Sequence, residues 1–525
     1  MIRRETRWRL SGLAGLVVIV VAALGAGAGQ SAPSGSAQTG IIVSGTTDAI
    51  TNIDPAGAYD YPSFMAAINI YEHLLDFKNN ARLQPSLATR CFAVNGNLRR
   101  WRCNLRRGVE FHDGSAFDSA DVKHSFDRVI RINDPSGISS LLGNLRSTQT
   151  NGRFAVTFNL KTPQSTWPQI LATGAGFIVP NSYPANRLQA NDQPHIGTGP
   201  YRLTRYTAGQ QAVFERFDDY WGPAARNEGV ILRQFARSST QKLALERGEI
   251  DMAFNSGAMP AAELDSLKRN RNIRVHQGVG VSIRYLNFNV TRAPFNNVAV
   301  RRAVAYLMPR QAIASRVYRG YVRPLYSMPP AGMPGHIDAF ATAYGRRPNV
   351  AAARRVLQQA GVQTPIAADI WYTPTRYGDQ SADEYAEIKR SLDGSGLFQV
   401  TLKTSEWAQY SDVLGRQYNA FQLGWFPDYV DVENYIVPFY RSDTFLANGY
   451  KNARVDRLIR AALATRNDDA RLGIYRQIQN IVARDASTIP VWQGDMIAPA
   501  RRNIVGIPGT IDAAFIMRFW KLRKV

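Results

Sequence analysis

Hydrophobic positions along the chain switch repeatedly between two periods. Residues 119–131 carry Val122, Phe126, Val129 and Ile130 at i, i+4, i+7 and i+8, one stripe of a helix, because side chains three and four apart share a helical face. Asp118 or Ser119 stands at its start as an N-cap. Val455, Leu458, Ile459, Ala462 and Leu463 form a second stripe, and Leu472, Tyr475, Ile478 and Val482 a third behind Asp468 or Asp469. Period-two runs lie between them. Ile41-Ile42-Val43 opens one strand, residues 154–158 alternate as another, and residues 201–206 and 212–217 read as a pair turning around Ala208-Gly209. The pattern predicts a helix over 64–77 after Pro62-Ser63. It predicts another over 240–247, capped by Ser239 or Thr240 and stopped by Gly248, with a return to strand at 250–254. Helix and strand alternate without internal repeat, which predicts α/β lobes with mixed sheets rather than a bundle or a sandwich.

Length makes those lobes plural: 525 residues exceed what one core supports, since single cores stop growing beyond about 250–300 residues. The first 39 residues differ from the rest. Arg3, Arg4, Arg7 and Arg9 precede an uncharged run over 10–29 and a Ser/Gly/Ala/Pro stretch, the order of an export signal. Ala26 and Ala28 offer a cleavage site, and the apolar run also has the length of an uncleaved anchor. A lipid anchor needs a cysteine just after that run, and the only cysteines are Cys91 and Cys103. These two flank the turn signal Asn95-Gly96-Asn97, so they form either a cross-hairpin disulfide in an oxidising compartment or two buried thiols.

The formal charge is +22, from 63 Lys and Arg against 41 Asp and Glu. The arginines are scattered, the densest groups being Arg99-Arg100-Trp101-Arg102, Arg301-Arg302 and the C-terminal residues. A solvated basic surface fits this better than a nucleic-acid module. Catalytic signatures are absent: no phosphate-cradling G-x-x-x-x-G-K-[ST], no H-E-x-x-H, no C-x-x-C and no G-x-S-x-G. The six histidines lack ligand spacing, and His112, in Phe111-His112-Asp113-Gly114, reads as a turn residue. Neither cofactor nor metal is expected.

Several segments carry a resemblance. Asn52-Ile53-Asp54-Pro55 with Ile70-Tyr71-Glu72-His73-Leu74-Leu75, then Leu105-Arg106-Arg107-Gly108-Val109-Glu110-Phe111-His112-Asp113-Gly114, and Ile196-Gly197-Thr198-Gly199-Pro200-Tyr201 resemble the peptide-binding branch of the bacterial extracellular solute-binding proteins. The likeness runs from about residue 41 to 518. It implies a two-lobed periplasmic-binding-protein-like (Venus-flytrap) α/β fold with an inserted lobe. The expected division is 40–76, 196–282 and 490–525 for lobe I, 77–195 for the inserted lobe and 283–489 for lobe II. The glycines of 196–200 suit a tight crossing through the backbone angles they admit. Two places depart from the family's pattern. Pro309 stands where an Asp usually precedes Arg310, and Asp431-Val432 replaces an Asp-Pro pair after the binding loop.

The same resemblance implies a monomeric, non-enzymatic receptor outside the cytoplasmic membrane. It would deliver a di- or oligopeptide to the transmembrane subunits of an ABC permease with separate ATPase subunits. Gly424-Trp425-Phe426-Pro427-Asp428 resembles the family's G-W-x-x-D loop, whose Asp pairs with a ligand α-ammonium; the plain alternative is a turn carboxylate. Trp371-Tyr372-Thr373-Pro374-Thr375-Arg376-Tyr377 is similar to the stretch whose Arg grips a ligand carboxylate, though one residue shorter. Tyr59, Asp60 and Tyr61 fall where relatives pair an edge with the ligand backbone. Trp425, Phe426 and Tyr61 are candidate aromatic walls. A receptor for another solute, such as a metal chelate or an amine, is the rival that the same fold permits.

Overall fold

A computed structural model describes residues 40–78, 82–254, 259–511 and 516–525; residues 1–39, where an export signal is expected, lie outside them. Three large sheets, beside two two-stranded ones, organise the described residues. The largest has seven strands, in the order Ile273–Gly278, Met496–Arg501, Met252–Ala253, Ile41–Thr46, Gly229–Gln234, Gln211–Arg216, Tyr201–Thr207. Ile41–Thr46 runs parallel to both its neighbours, and the other pairs are antiparallel. The second sheet orders six strands as Val322–Pro324, Thr488–Gly494, Ile283–Phe288, Ala420–Trp425, Ile366–Tyr372, Phe398–Thr404. Ile283–Phe288 and Thr488–Gly494 are buried at every position, as strands covered on both faces must be. The third sheet is antiparallel, ordered Ala88–Ala93, Arg100–Leu105, Ala155–Leu160, Leu145–Thr150. In it Cys91 faces Cys103, their Cα atoms 4.1 Å apart, and a disulfide joins them.

The chain passes between the two largest sheets twice, at 279–282 and at Asp495. The passages lie side by side. Gly494 N–H donates to Ser282 O at 2.9 Å and Gln493 Nε2 to Gly280 O at 2.7 Å. A Cβ on Gly280 would stand 2.5 Å from Gly494 O, so only glycine lets the two backbones approach this closely.

Two junctions tie the four-stranded sheet's segment to its surroundings. In the first, Arg128 on the helix Ser119–Ile132 grips Asp54 with both guanidinium prongs, Nη1 to Oδ1 at 2.8 Å, and both side chains are buried. Asp54 also accepts from Ala56 N–H and Gln189 N–H. In the second, His112 Nε2 lies 3.0 Å from Gly199 O while Gly197 N–H points at Nδ1 from 3.3 Å. This geometry selects the neutral Nε2–H tautomer. Burial pushes the His112 pKa down to about 4, in agreement.

Local differences from the sequence expectation have local causes. The helix read over 64–77 runs from Tyr61 to Ile70, because Asp60 caps it by accepting from Ser63 N–H, and Leu75–Phe77 is a strand. The helix Asp468–Asp485 takes Asn467 as its cap instead of either aspartate. Ser238–Arg247 starts after Arg237 with no side-chain cap and stops, as expected, at Gly248 with φ 82°. Gly197 serves through space rather than through its backbone angles: a Cβ would lie 2.0 Å from Ile70 O. Among the described residues no helix is long and apolar enough to cross a membrane.

Candidate ligand-binding site

The strand Ala420–Trp425 pairs antiparallel with the buried Ile283–Phe288, and its C-terminal end projects the loop 426–431 beyond the sheet edge. There it meets the segment before the helix Tyr61–Ile70. Between them lies a cavity of about 500 Å³. All six residues singled out from the sequence, Asp428, Arg376, Trp425, Phe426, Tyr59 and Tyr61, line it.

Asp428 is half-buried and held by neutral groups. Tyr59 Oη donates to its Oδ1 at 2.7 Å and Asn434 Nδ2 to its Oδ2 at 3.0 Å, while its own N–H donates to Asn434 Oδ1 at 3.0 Å. Among the described residues no arginine or lysine forms an ion pair with it. Burial pushes the Asp428 pKa above the ordinary carboxylate range, and the hydrogen bonds from Asn434 and Tyr59 pull it back. Tyr59 is raised too, first by burial and then by the Asp428 charge.

Aromatic rings surround that carboxylate. Trp425 packs edge-on to Phe439 at 5.2 Å and stacks on Phe445 at 5.9 Å. Phe445, 53% exposed, and Tyr59, 42% exposed, are among the largest apolar side chains left uncovered, and both line the cavity. Behind the wall sits Arg284, 7% exposed, its guanidinium carbon 4.2 Å from the Tyr377 ring centre, 5.4 Å from Phe426 and 5.0 Å from Trp492. Such contacts are worth about 2 kcal/mol when desolvated. Tyr377 Oη accepts from Gly424 N–H at 2.8 Å, fixing the start of the loop.

Arg376 occupies the four-residue helix Pro374–Tyr377, exposed, with its guanidinium carbon 5.6 Å from the Trp407 ring centre. Tyr61 is the first residue of its helix, which leaves Tyr59 and Asp60 as the non-helical residues where a free edge was expected. Asp431 caps the short helix Val432–Tyr435 and takes both prongs of Arg471 at 2.7 and 2.8 Å. The loop therefore has a defined path without the usual proline. Pro309 likewise precedes a short helical turn, Arg310–Ala312. Among the described residues no group of three or more His, Cys, Asp or Glu could hold a metal ion. Sequence reading missed Asn434, Arg284, Tyr377, Trp407 and Phe445. Only Asn434 left a usable sign, a lone amide six positions after the loop aspartate.

Residues 82–446, more than half of the chain, match the family described as bacterial extracellular solute-binding proteins, family 5 Middle, and the chain belongs to that family. The glutathione-binding protein GsiB of Salmonella typhimurium is 25% identical over 507 residues, covering 94% of this chain and 97% of its own. The periplasmic binding protein DppA of Helicobacter pylori in complex with the peptide STSA superposes with a TM-score of 0.78 at 23% identity, over 93% of this chain and 98% of its own. NikA of Brucella suis in complex with Fe(III)-EDTA gives 0.82 at 20% identity, over 92% and 100%. The α/β, two-lobed periplasmic-binding-protein architecture is thus shared across the match.

Proposed function

We propose that this protein is the extracytoplasmic receptor of an ABC importer, capturing a di- or oligopeptide by its α-ammonium at Asp428 and passing it to a membrane permease. One observation carries the reading: a half-buried carboxylate in a 500 Å³ cavity, held by two neutral donors and by no cation among the described residues. A carboxylate has about four lone-pair sites, so two donors leave room for an ammonium. Charge-assisted hydrogen bonds there are about twice as strong as neutral ones. Trp425, Phe426, Tyr59 and Tyr61 supply faces for the apolar body of the ligand. Arg376 is the group for a ligand carboxylate, and its exposure makes that contact the weaker of the two.

Closure in this reading swings residues 283–489 against residues 40–76, 196–282 and 490–525, with 77–195 inserted, about the paired passages at 279–282 and 495. The protein acts as a monomer outside the cytoplasmic membrane and performs no chemistry. A second reading, a non-peptide amine, is favoured by the exposure of Arg376. An anionic chelate is disfavoured, because Asp428 and Asp60 both line the cavity against the single arginine.

Mass spectrometry of ligands released from the purified protein by mild denaturation tests the proposal, followed by calorimetry with a dipeptide and its C-terminal amide. Peptides are expected, with Arg376→Ala erasing only the preference for the free carboxylate. Recovery of ligands without a basic nitrogen overturns the reading.

A further inference from the structure

We infer that Asn434 is a positioning residue, which holds Asp428 as an anion aimed into the cavity and locks it to the indole of Trp425. Asn434 is 3% exposed and its amide makes three hydrogen bonds: Nδ2–H to Asp428 Oδ2 at 3.0 Å, and Oδ1 from Asp428 N–H at 3.0 Å and from Trp425 Nε1–H at 3.1 Å. Backbone N–H and indole N–H only donate, so Oδ1 must face them and Nδ2 must face the carboxylate. Of the side chains of this reach that do not titrate, only asparagine offers a double acceptor and an N–H donor together.

The clasp is itself clamped. Asn434 lies on the short helix capped by Asp431, and Arg471 holds Asp431 from the helix Asp468–Asp485. One rigid element therefore fixes the distance between the anion and the Trp425 ring. On the reading that Asp428 takes an ammonium, the favoured ligand carries an apolar group beside that ammonium, where the Trp425 face can cover it.

The inference separates from the peptide reading because it concerns the ligand-free protein. The titratable or charged groups around Asp428 are Tyr59 from the segment before the helix Tyr61–Ile70, Tyr429 in its own loop, and Glu433 and Tyr435 on the short helix Val432–Tyr435. Asp60 and Arg376 share the cavity lining. None of these but Tyr59 and Asn434 donates to the carboxylate. Removing the Asn434 donor leaves burial opposed by the Tyr59 hydroxyl and the backbone N–H of Asp428 alone.

The test is carbon NMR of the ligand-free protein with ¹³Cγ-labelled aspartate, the Asp428 resonance being assigned with Asp428→Asn. In Asn434→Ala the titration midpoint of Asp428 is expected to rise by about one pH unit or more, the effect of losing a hydrogen bond to a charged group. In the nearly isosteric Asn434→Asp the two facing carboxyls are expected to share one proton and to titrate as a pair in two steps, the upper lying above the wild-type midpoint. A wild-type midpoint in either folded variant overturns the inference. Should Asn434→Ala fail to fold, Asn434→Asp decides alone. A wild-type protein that binds neither Phe-Ala nor its amide removes the peptide reading and leaves this midpoint comparison standing.

Discussion

Burial and hydrogen bonding pull the proton affinity of Asp428 in opposite directions, and in the proposed function ligand capture depends on the balance. Burial dominates, so the carboxyl takes its proton at a higher pH than an exposed aspartate does. Affinity for an ammonium ligand is expected to hold near neutral pH and to fall as pH drops through that raised value, which calorimetry between pH 7 and 4 checks. Asp428→Asn is expected to lower affinity at pH 7 by roughly 30-fold to several-thousand-fold, the equivalent of about 2–5 kcal/mol for truncating a buried charge pair. The carboxylate itself was legible because G-W-x-x-D is a contiguous motif. Arg284 was not, since its meaning arises only when Ile283–Phe288 pairs with Ala420–Trp425, strands more than a hundred positions apart. No local pattern marks an arginine that props aromatic rings from behind.

Helices and strands with strong periodicity were readable to within a residue or two, Ser119–Ile132 and Ala453–Leu463 among them. The first helix was not, because its apolar residues continue past Ile70 into a segment that a crossing chain claims. That crossing is pinned by His112. Its pKa is depressed by burial, so its contribution to stability is present above the unfolded value of about 6.5 and is lost as pH falls toward about 4. His112→Gln should therefore flatten the acid limb of the thermal unfolding midpoint between pH 6.5 and 4, by up to about 1.4 kcal/mol per pH unit. The other junction depends on the Asp54–Arg128 pair, both members buried. Arg128→Ala is expected to cost about 3–5 kcal/mol, since it strands a buried carboxylate; urea denaturation measures it.

At the scale of the molecule, the two sides of the cavity meet through Tyr59 and Asp428, and in the proposed closure this contact forms as the cleft shuts. Tyr59→Phe removes it and should shift the ligand-free protein toward an open form, seen as a larger radius of gyration in solution scattering. The lobed α/β architecture was legible from alternation and from the distributed family motifs. The order of strands within each sheet was not, because it is set by pairings between distant parts of the sequence. The net charge of +22 is spread over this frame and marks no single face in the sequence.

The strand Met496–Arg501 lies between Ile273–Gly278 and Met252–Ala253 in the seven-stranded sheet. A nascent polypeptide that has reached residue 495 still has an empty slot there, flanked by two rows of unpaired backbone groups. Such edges are templates for strand addition by another molecule. Synthesis must therefore run nearly to completion before this sheet can seal, and a stop codon just upstream of Met496 should yield aggregates instead of a slightly shortened protein.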